Sequence, residues 1–338
     1  MTAIAYTRYQ ETPAGCAIDL SDNTNLWGVA PSVAGAFSKF SAQDLSRYPS
    51  PYSNDLKRAI SEYLSVDESR IVTGCGSDDV LDSAIRSFGS RGDVLVQCDP
   101  TFSMIPVFAA VSGVNVTSIS PHRSDLVARA LAEKADVIYL CSPNNPTGAV
   151  LDTDLITAIA RQSRALVIID EAYIDFGGST SLALALELDN VLITRTFSKA
   201  FGLAGFRVGY GIGSPSATRR IEAARGPYKV STVAERVACA VLENDLRWVH
   251  SCVAKTIENR ARFANELNDI GLPALPSGAN FLMIPVPDGR RFEDGLRAAG
   301  IAVRRFDALT EIGDALRISI GPWEMLQECL HALRRISR

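Results

Sequence analysis

Lysine is scarce in this chain. Six lysines stand against twenty-eight arginines in 338 residues, so a lysine in an unusual setting is informative. Histidine is scarcer still. His122, His250 and His331 lie far apart with no ligand spacing around them, so neither a metal site nor a histidine-based triad is expected. The seven cysteines (Cys16, Cys75, Cys98, Cys141, Cys239, Cys252 and Cys329) are odd in number and form no CxxC pair. Several sit in apolar segments, as Cys98 does after Val94-Leu95-Val96; they read as reduced, buried thiols rather than disulfides. No apolar run reaches the roughly 18–20 residues that span a bilayer. Met1 to Leu20 lacks the basic start, apolar stretch and small-residue cleavage site of a leader. A cytoplasmic protein without a membrane partner is expected. Net charge is −4 and the isoelectric point about 5.5. Arginines are scattered apart from pairs such as Arg219/Arg220, Arg304/Arg305 and Arg334/Arg335, which argues against a nucleic-acid partner.

What is present is an ordinary globular composition, 47% hydrophobic and 21% charged, in a chain long enough for two domains. From about residue 54 to 213 helix and strand patterns alternate. Asn54–Leu64 places Leu56, Ile60, Tyr63 and Leu64 on one helical side. Ser77–Phe88 repeats the pattern with Val80, Leu81, Ala84, Ile85 and Phe88, and Gly89 stops it. Short strands are expected at Arg70–Thr73, Val94–Gln97, Val114–Ile119, Val137–Cys141, Leu166–Asp170, Val191–Thr194 and Val208–Ile212. Many are apolar on both faces, as in a parallel sheet covered by helices, where ligands bind at the carboxyl ends of the strands. After about residue 230 the pattern changes. One long helical stretch to about Ile270 precedes a smaller α/β module with strands at Phe281–Pro285, Ile301–Arg304 and Leu316–Ile320 and helices at Phe292–Ala299 and Met325–Ile336. We expect a large domain over residues 41–229 and a small domain from residues 1–40 and 230–338.

Four polar clusters fall just after expected strands. Gly74-Cys75-Gly76-Ser77-Asp78-Asp79 precedes a helix and can cradle an anion at its N-terminus. Equally, it can be a glycine turn with Ser77 as cap. It fails as a dinucleotide fingerprint, because Asp79 stands where the third glycine belongs. Ser142-Pro143-Asn144-Asn145-Pro146-Thr147-Gly148 is a rigid turn that can aim an asparagine at a ligand, or simply a turn. Asp170, at the end of Leu166-Val167-Ile168-Ile169, is an acid on a buried strand that needs a partner. A protonated pyridine nitrogen would serve, as would a backbone turn to cap. The fourth cluster holds Lys199. A lysine amine forms a Schiff base with an aldehyde, and Thr196, Ser198 and Arg207 can hold a phosphate nearby. Aldehyde and phosphate together point to pyridoxal 5'-phosphate (PLP); the alternative is a loop lysine beside a turn. The order of the clusters at strand ends favours the cofactor.

These segments give the chain a resemblance to PLP-dependent aminotransferases of the aspartate aminotransferase fold, and within them to the histidinol-phosphate aminotransferase family. Arg47-Tyr48-Pro49, Ser142–Gly148, Asp170–Phe176, Arg195–Gly209 and Leu316–Gly321 match in order and spacing. The resemblance implies an α/β PLP-dependent transferase fold, with a large domain built on a mostly parallel seven-stranded sheet and a small α/β domain. It implies Lys199 as the lysine that joins the cofactor and moves a proton, and Asp170 as partner of the ring nitrogen. Asn145 and Tyr173 would bond the ring's phenolic oxygen. Phe102 would stack on the ring. Ser77, Asp78, Ser198, Arg207 and Thr196 would hold the phosphate, joined by Tyr48 from the other subunit of a homodimer with shared active sites. Arg317 would clamp the substrate carboxylate, near Asn145. The small-molecule partners implied are an amino acid or amine and a 2-oxo acid.

The chain departs from that family in four places. Phe102 replaces a tyrosine, and Trp27 replaces another in Asn23-Thr24-Asn25-Leu26-Trp27. Pro322-Trp323 follow Gly321 where a polar residue is usual, and Glu328 aligns near a family arginine. Arg304, Arg305 and Tyr228 remain for a substrate phosphate, and Trp27 becomes a candidate substrate contact. The donor therefore stays open between histidinol phosphate and an aromatic or other apolar amino acid. Decarboxylation of a phosphorylated amino acid, of the threonine-phosphate type, uses the same lysine and aspartate. A non-catalytic PLP-binding module and a nicotinamide-dependent dehydrogenase are the more distant alternatives. The first lacks an added basic helix-turn-helix segment, and the second lacks its glycine fingerprint.

Overall fold

The computed structural model describes residues 15–121 and 125–337. His122 and the first fourteen residues of the expected small domain lie outside that range. Among the described residues twelve strands occur in chain order. They are β1 (Ile18–Asp19), β2 (Ile71–Cys75), β3 (Val94–Cys98), β4 (Asn115–Ile119), β5 (Val137–Cys141), β6 (Leu166–Asp170), β7 (Val191–Thr196), β8 (Val208–Ile212), β9 (Phe281–Pro285), β10 (Ile301–Ala302), β11 (Arg304–Leu309) and β12 (Gly313–Ser319). Strands β2 to β8 form one seven-stranded sheet in the order β2-β8-β7-β6-β5-β3-β4. Its strands run parallel except β8, which is antiparallel to both β2 and β7. The sequence pattern does not reveal that reversal. The segment from Phe197 to Arg207 carries no crossover helix, and a strand that returns through so short a connection pairs antiparallel.

Alternation along the strands divides the core into two layers. Ile138, Leu140, Val167, Ile169, Val191 and Ile193 face one layer. Val137, Tyr139, Cys141, Leu166, Ile168 and Leu192 face the other, under the helix Gly76–Phe88. That helix buries Val80, Leu81, Ala84 and Ile85, as its 3.6-residue period requires. Burying each of Val80, Leu81 and Ile85 stabilises the fold by about 1.5–3 kcal/mol.

The second module is a three-stranded sheet, β11-β12-β9, covered by the helices Gly289–Ala298 and Trp323–Ile336. Its core gathers Phe292, Leu296, Ile318, Leu330 and Leu333, together with Leu20 from the N-terminal segment. β1 pairs in parallel with β10. The N-terminal segment then changes sides, because Ala30, Val33 and Ala36 join the large core.

The expected long helix after residue 230 is two, Thr232–Asn244 and Leu246–Asp269. They break at Asp245, whose carboxylate accepts the Ser32 backbone N–H at 2.8 Å. Asp245 is a weak helix former whose oxygen finds a better partner outside the helix. Val237, Ala238, Val241 and Val249 pack on the large core. The change of pattern at residue 230 therefore precedes the change of core. The expected strand Ile301–Arg304 is likewise two strands that serve different sheets, β10 beside β1 and β11 beside β12.

Candidate active site

A cavity of about 550 Å³ opens at the carboxyl ends of the parallel strands, with Lys199, Asp170, Asn145 and Arg317 in its wall. The loop carrying Lys199 leaves β7 and is wound on itself. Phe197 N–H donates to Val208 O at 3.0 Å, Gly202 N–H to Lys199 O at 3.2 Å and Leu203 N–H to Phe197 O at 2.9 Å. Gly202 sits at φ +71°, and a Cβ there would meet Gly28 O at 3.0 Å, so glycine is required. The winding turns Lys199 into the cavity. Its Nζ donates to Asp22 O at 3.1 Å and lies 5.6 Å from the centre of the Tyr173 ring. Burial first, and then the Arg317 guanidinium, lower its pKa from 10.5 to about 8. The amine is thereby brought towards the neutral, nucleophilic form.

Asp170 closes β6. Tyr139 Oη donates to Asp170 Oδ2 at 2.7 Å, and Thr194 Oγ1 donates to Oδ1 at 3.0 Å. The Ala172 backbone N–H adds a third bond at 3.2 Å. Burial raises the carboxyl to about 6, while these bonds pull it down. This is a buried acid arranged to receive a positive partner from the cavity.

The anion cradle lies at the start of the helix Gly76–Phe88. Arg207 reaches across it, with Nη1 donating to Ser198 Oγ at 3.4 Å and Nη2 donating to Asp78 Oδ2 at 2.9 Å. β8 passes so close that a Cβ on Gly209 would lie 2.2 Å from Ser77 N, and one on Gly76 would lie 2.6 Å from Arg207 Nη2. Two glycines thus let a helix N-terminus and a guanidinium share one small space, the arrangement that binds a phosphate. Thr196 Oγ1 accepts the Ser198 N–H at 3.1 Å and so shapes this turn from within.

Asn145 and Tyr173 sit beside Lys199. Asn145 Oδ1 accepts from Arg317 Nη1 at 2.6 Å, and Arg317 Nη2 donates to Ser21 O at 2.7 Å. The Tyr173 hydroxyl accepts from Asn23 Nδ2 at 3.1 Å, and burial raises its pKa well above the ordinary phenol value. Phe102 lines the cavity together with Met104 and Phe108. The loop holding Asn145 is locked against that of Phe102 through Asn144, whose Oδ1 accepts from Thr101 Oγ1 at 2.8 Å and whose Nδ2 donates to Pro100 O at 2.9 Å.

Four expected residues stand apart from the cavity of the single chain. Tyr48 is 83% exposed and stacks on Tyr228 at 4.9 Å between ring centres. Trp27 turns away, because its Nε1 donates to Thr256 Oγ1 at 3.0 Å and Lys255 Nζ covers its ring at 5.3 Å. A half-buried indole N–H needs a partner, and the long helix supplies one. Arg304 pairs with Asp22, a residue of the cavity wall, at 3.0 Å.

The reading of the sequence also missed residues. Asn23, at φ +54°, accepts the Asn280 Nδ2 donor on its carbonyl and holds Tyr173. Its sole signal was its place in the segment Asn23–Trp27, noted above for Trp27. Asp22, Met104, Phe108 and Cys141 line the cavity without any local signal.

The family model for aminotransferase class I and II matches residues 17–333. The chain belongs to that family. A histidinol-phosphate aminotransferase of Geobacillus sp. (strain WCH70) is 33% identical over 330 residues, 94% of this chain and 90% of that one. Histidinol-phosphate aminotransferase 1 of Archaeoglobus fulgidus is 34% identical over 94% of this chain and 99% of its own. Among solved structures, the histidinol-phosphate aminotransferase from Sinorhizobium meliloti in complex with pyridoxal-5'-phosphate superposes with a TM-score of 0.88. It is 27% identical over 96% of this chain and 91% of that one. The L-threonine-O-3-phosphate decarboxylase from Porphyromonas gingivalis shares the fold, with a TM-score of 0.82 at 20% identity over 94% of this chain and 98% of that one.

Proposed function

We infer that this aminotransferase moves an amino group between an amine such as histidinol phosphate and a 2-oxo acid such as 2-oxoglutarate, with pyridoxal 5'-phosphate as cofactor. One observation carries the reading. Lys199, Asp170, Arg207 and Arg317 converge on a single cavity at the strand ends. The residues fit the cofactor by charge. A buried acid held by three hydrogen bonds faces the cavity, and a guanidinium crosses a helix N-terminus where glycines leave room. Asp170 would hold the ring nitrogen, the Ser77–Asp78 backbone with Ser198 and Arg207 the phosphate, and Asn145 and Tyr173 the phenolic oxygen. Phe102 offers a face for the ring. When bound, the cofactor supplies an electron sink for the substrate's α-carbon.

The chain's own residues do the rest. Lys199, lowered to about 8 by burial and Arg317, can gain and lose a proton at Nζ near neutral pH, as acid–base work requires. Arg317 is fixed by Asn145 and Ser21 at the cavity edge and presents its planar donors to a carboxylate. The apolar wall of Phe102, Met104 and Phe108 favours a second donor class, aromatic or other apolar amino acids. A donor panel with 2-oxoglutarate tests both. Turnover of histidinol phosphate supports the first reading. Turnover of phenylalanine without histidinol phosphate replaces it with the second, and carbon dioxide release from threonine phosphate rejects transfer in favour of decarboxylation.

A homodimer with shared sites is part of this reading. Tyr48, Leu45, Val29 and Phe37 expose large apolar side chains on one chain, as a surface awaiting a partner does. Tyr48 would there reach the partner's phosphate site, and light scattering of the purified protein checks the dimer. Among the described residues no helix is long and apolar enough to cross a membrane, which is compatible with a cytoplasmic enzyme.

A further inference from the structure

Tyr139 lies in the middle of β5, in a run otherwise filled by Val137, Ile138 and Leu140. Its ring packs in the layer under the helix Gly76–Phe88 and is fully buried. A phenylalanine would fill that space without demanding a hydrogen-bond partner. The hydroxyl donates its proton to Asp170 Oδ2 at 2.7 Å. From the opposite flank of β6, Thr194 on β7 does the same for Oδ1 at 3.0 Å. The register makes this possible, because Asp170 pairs with Cys141 on one side and Thr194 on the other, and Tyr139 lies two residues before Cys141 on the same face. Asp170 lines the cavity, whereas Tyr139 and Thr194 do not. Each carboxylate oxygen is therefore held from behind by a hydroxyl on a neighbouring strand.

We propose that Tyr139, supported by Thr194, is a positioning residue that keeps Asp170 ionised and fixed for the cofactor's ring nitrogen. The proposal rests on the reading of Asp170 given above. Two donated hydroxyl bonds stabilise the carboxylate over the carboxylic acid, and they oppose the burial that raises Asp170. Without Tyr139 Oη, one buried oxygen loses its partner and the acid favours its neutral form, which cannot support a ring cation.

The test compares two ligands on the PLP-free protein, PLP and its 1-deaza analogue, in which carbon replaces the ring nitrogen. Fluorescence titration gives the affinity for each, and thermal unfolding without ligand gives stability. Tyr139→Phe should weaken PLP about tenfold, the scale of one hydrogen bond to a charged group, while changing the analogue by less than about twofold. Equal weakening of both ligands, or no weakening of PLP, overturns the proposal and leaves Tyr139 a packing residue. If Tyr139→Phe does not fold, Thr194→Val carries the same comparison with the same two outcomes. A wild-type protein that binds both ligands equally overturns the role of Asp170 itself, and one that binds neither overturns the cofactor, so these failures are distinguishable from that of Tyr139.

Discussion

Asp170 and Lys199 are held by groups from the large sheet or by tight turns at its rim. Three hydrogen bonds fix the Asp170 carboxylate, and the wound loop after β7 turns Lys199 inwards. Trp27, Tyr228 and Arg304, expected to meet the substrate, are engaged elsewhere, with Thr256, Tyr48 and Asp22. One side of the cavity is thus built by secondary structure whose geometry is already determined. The other groups lie on loops, a small sheet and an exposed surface apart from the cavity wall. In the proposed reading, the groups that the transfer needs sit on the rigid side, and those that would distinguish one amine from another sit on the adaptable side. Three of the four departures (Trp27, Pro322-Trp323 and Glu328) lie outside the large sheet, in the N-terminal segment and at or in the helix Trp323–Ile336.

This contrast can be broken from either end. The largest effect is expected on the rigid side. Lys199→Ala should lower kcat by on the order of 10²–10⁴-fold and abolish the visible absorption of the PLP-loaded protein; a variant that keeps both would remove Lys199 from the chemistry. The same position carries an opposite effect on stability. Burial disfavours the Lys199 cation, so Lys199→Met should raise the Tm of the PLP-free protein while activity is lost, which differential scanning calorimetry checks.

Arg317→Lys comes next. It keeps the charge but loses the planar pair of donors, and KM for both substrates should rise about tenfold or more, with a smaller fall in kcat. A further measurement concerns Asp170 alone. Its folded pKa is raised from 3.8 to about 6 by burial, so the folded PLP-free protein binds a proton that the unfolded chain has released. Its contribution to stability is present below about pH 4 and is lost as pH rises through about 6, by roughly 3 kcal/mol at most. Urea unfolding between pH 4 and 7 should show this slope, and Asp170→Asn should flatten it.

The smallest effect is expected at Trp27. Trp27→Phe removes the bond to Thr256 and should cost about 1 kcal/mol of stability with kcat/KM nearly unchanged. A large loss of activity there would return Trp27 to the substrate site and erase the contrast.

The rigid side was the legible one. Four strands of the large sheet, β2, β5, β6 and β7, are followed by polar or glycine-rich clusters, and these clusters lie around the cavity. Lys199, Asp170, Asn145, Arg207 and Arg317 were found in this way or by the resemblance those motifs carry. Tyr139 was not, because a tyrosine in an apolar strand has no local mark of what its hydroxyl will meet. Asn23 entered only as part of the segment Asn23–Trp27, because its contact with Tyr173 spans 150 positions.

By itself, the sequence determined the alternation of helix and strand, the polar clusters at strand ends and the scarcity that makes Lys199 conspicuous. These follow from side-chain periodicity and from the backbone chemistry of glycine and proline, which act over a few residues. The tertiary structure decided the reversed direction of β8, the break at Asp245, the packing of the helix after residue 230 on the large core and the hydroxyl behind each oxygen of Asp170. Each of these depends on which distant group satisfies a buried polar atom or apolar face, and that choice is made only when the chain closes on itself.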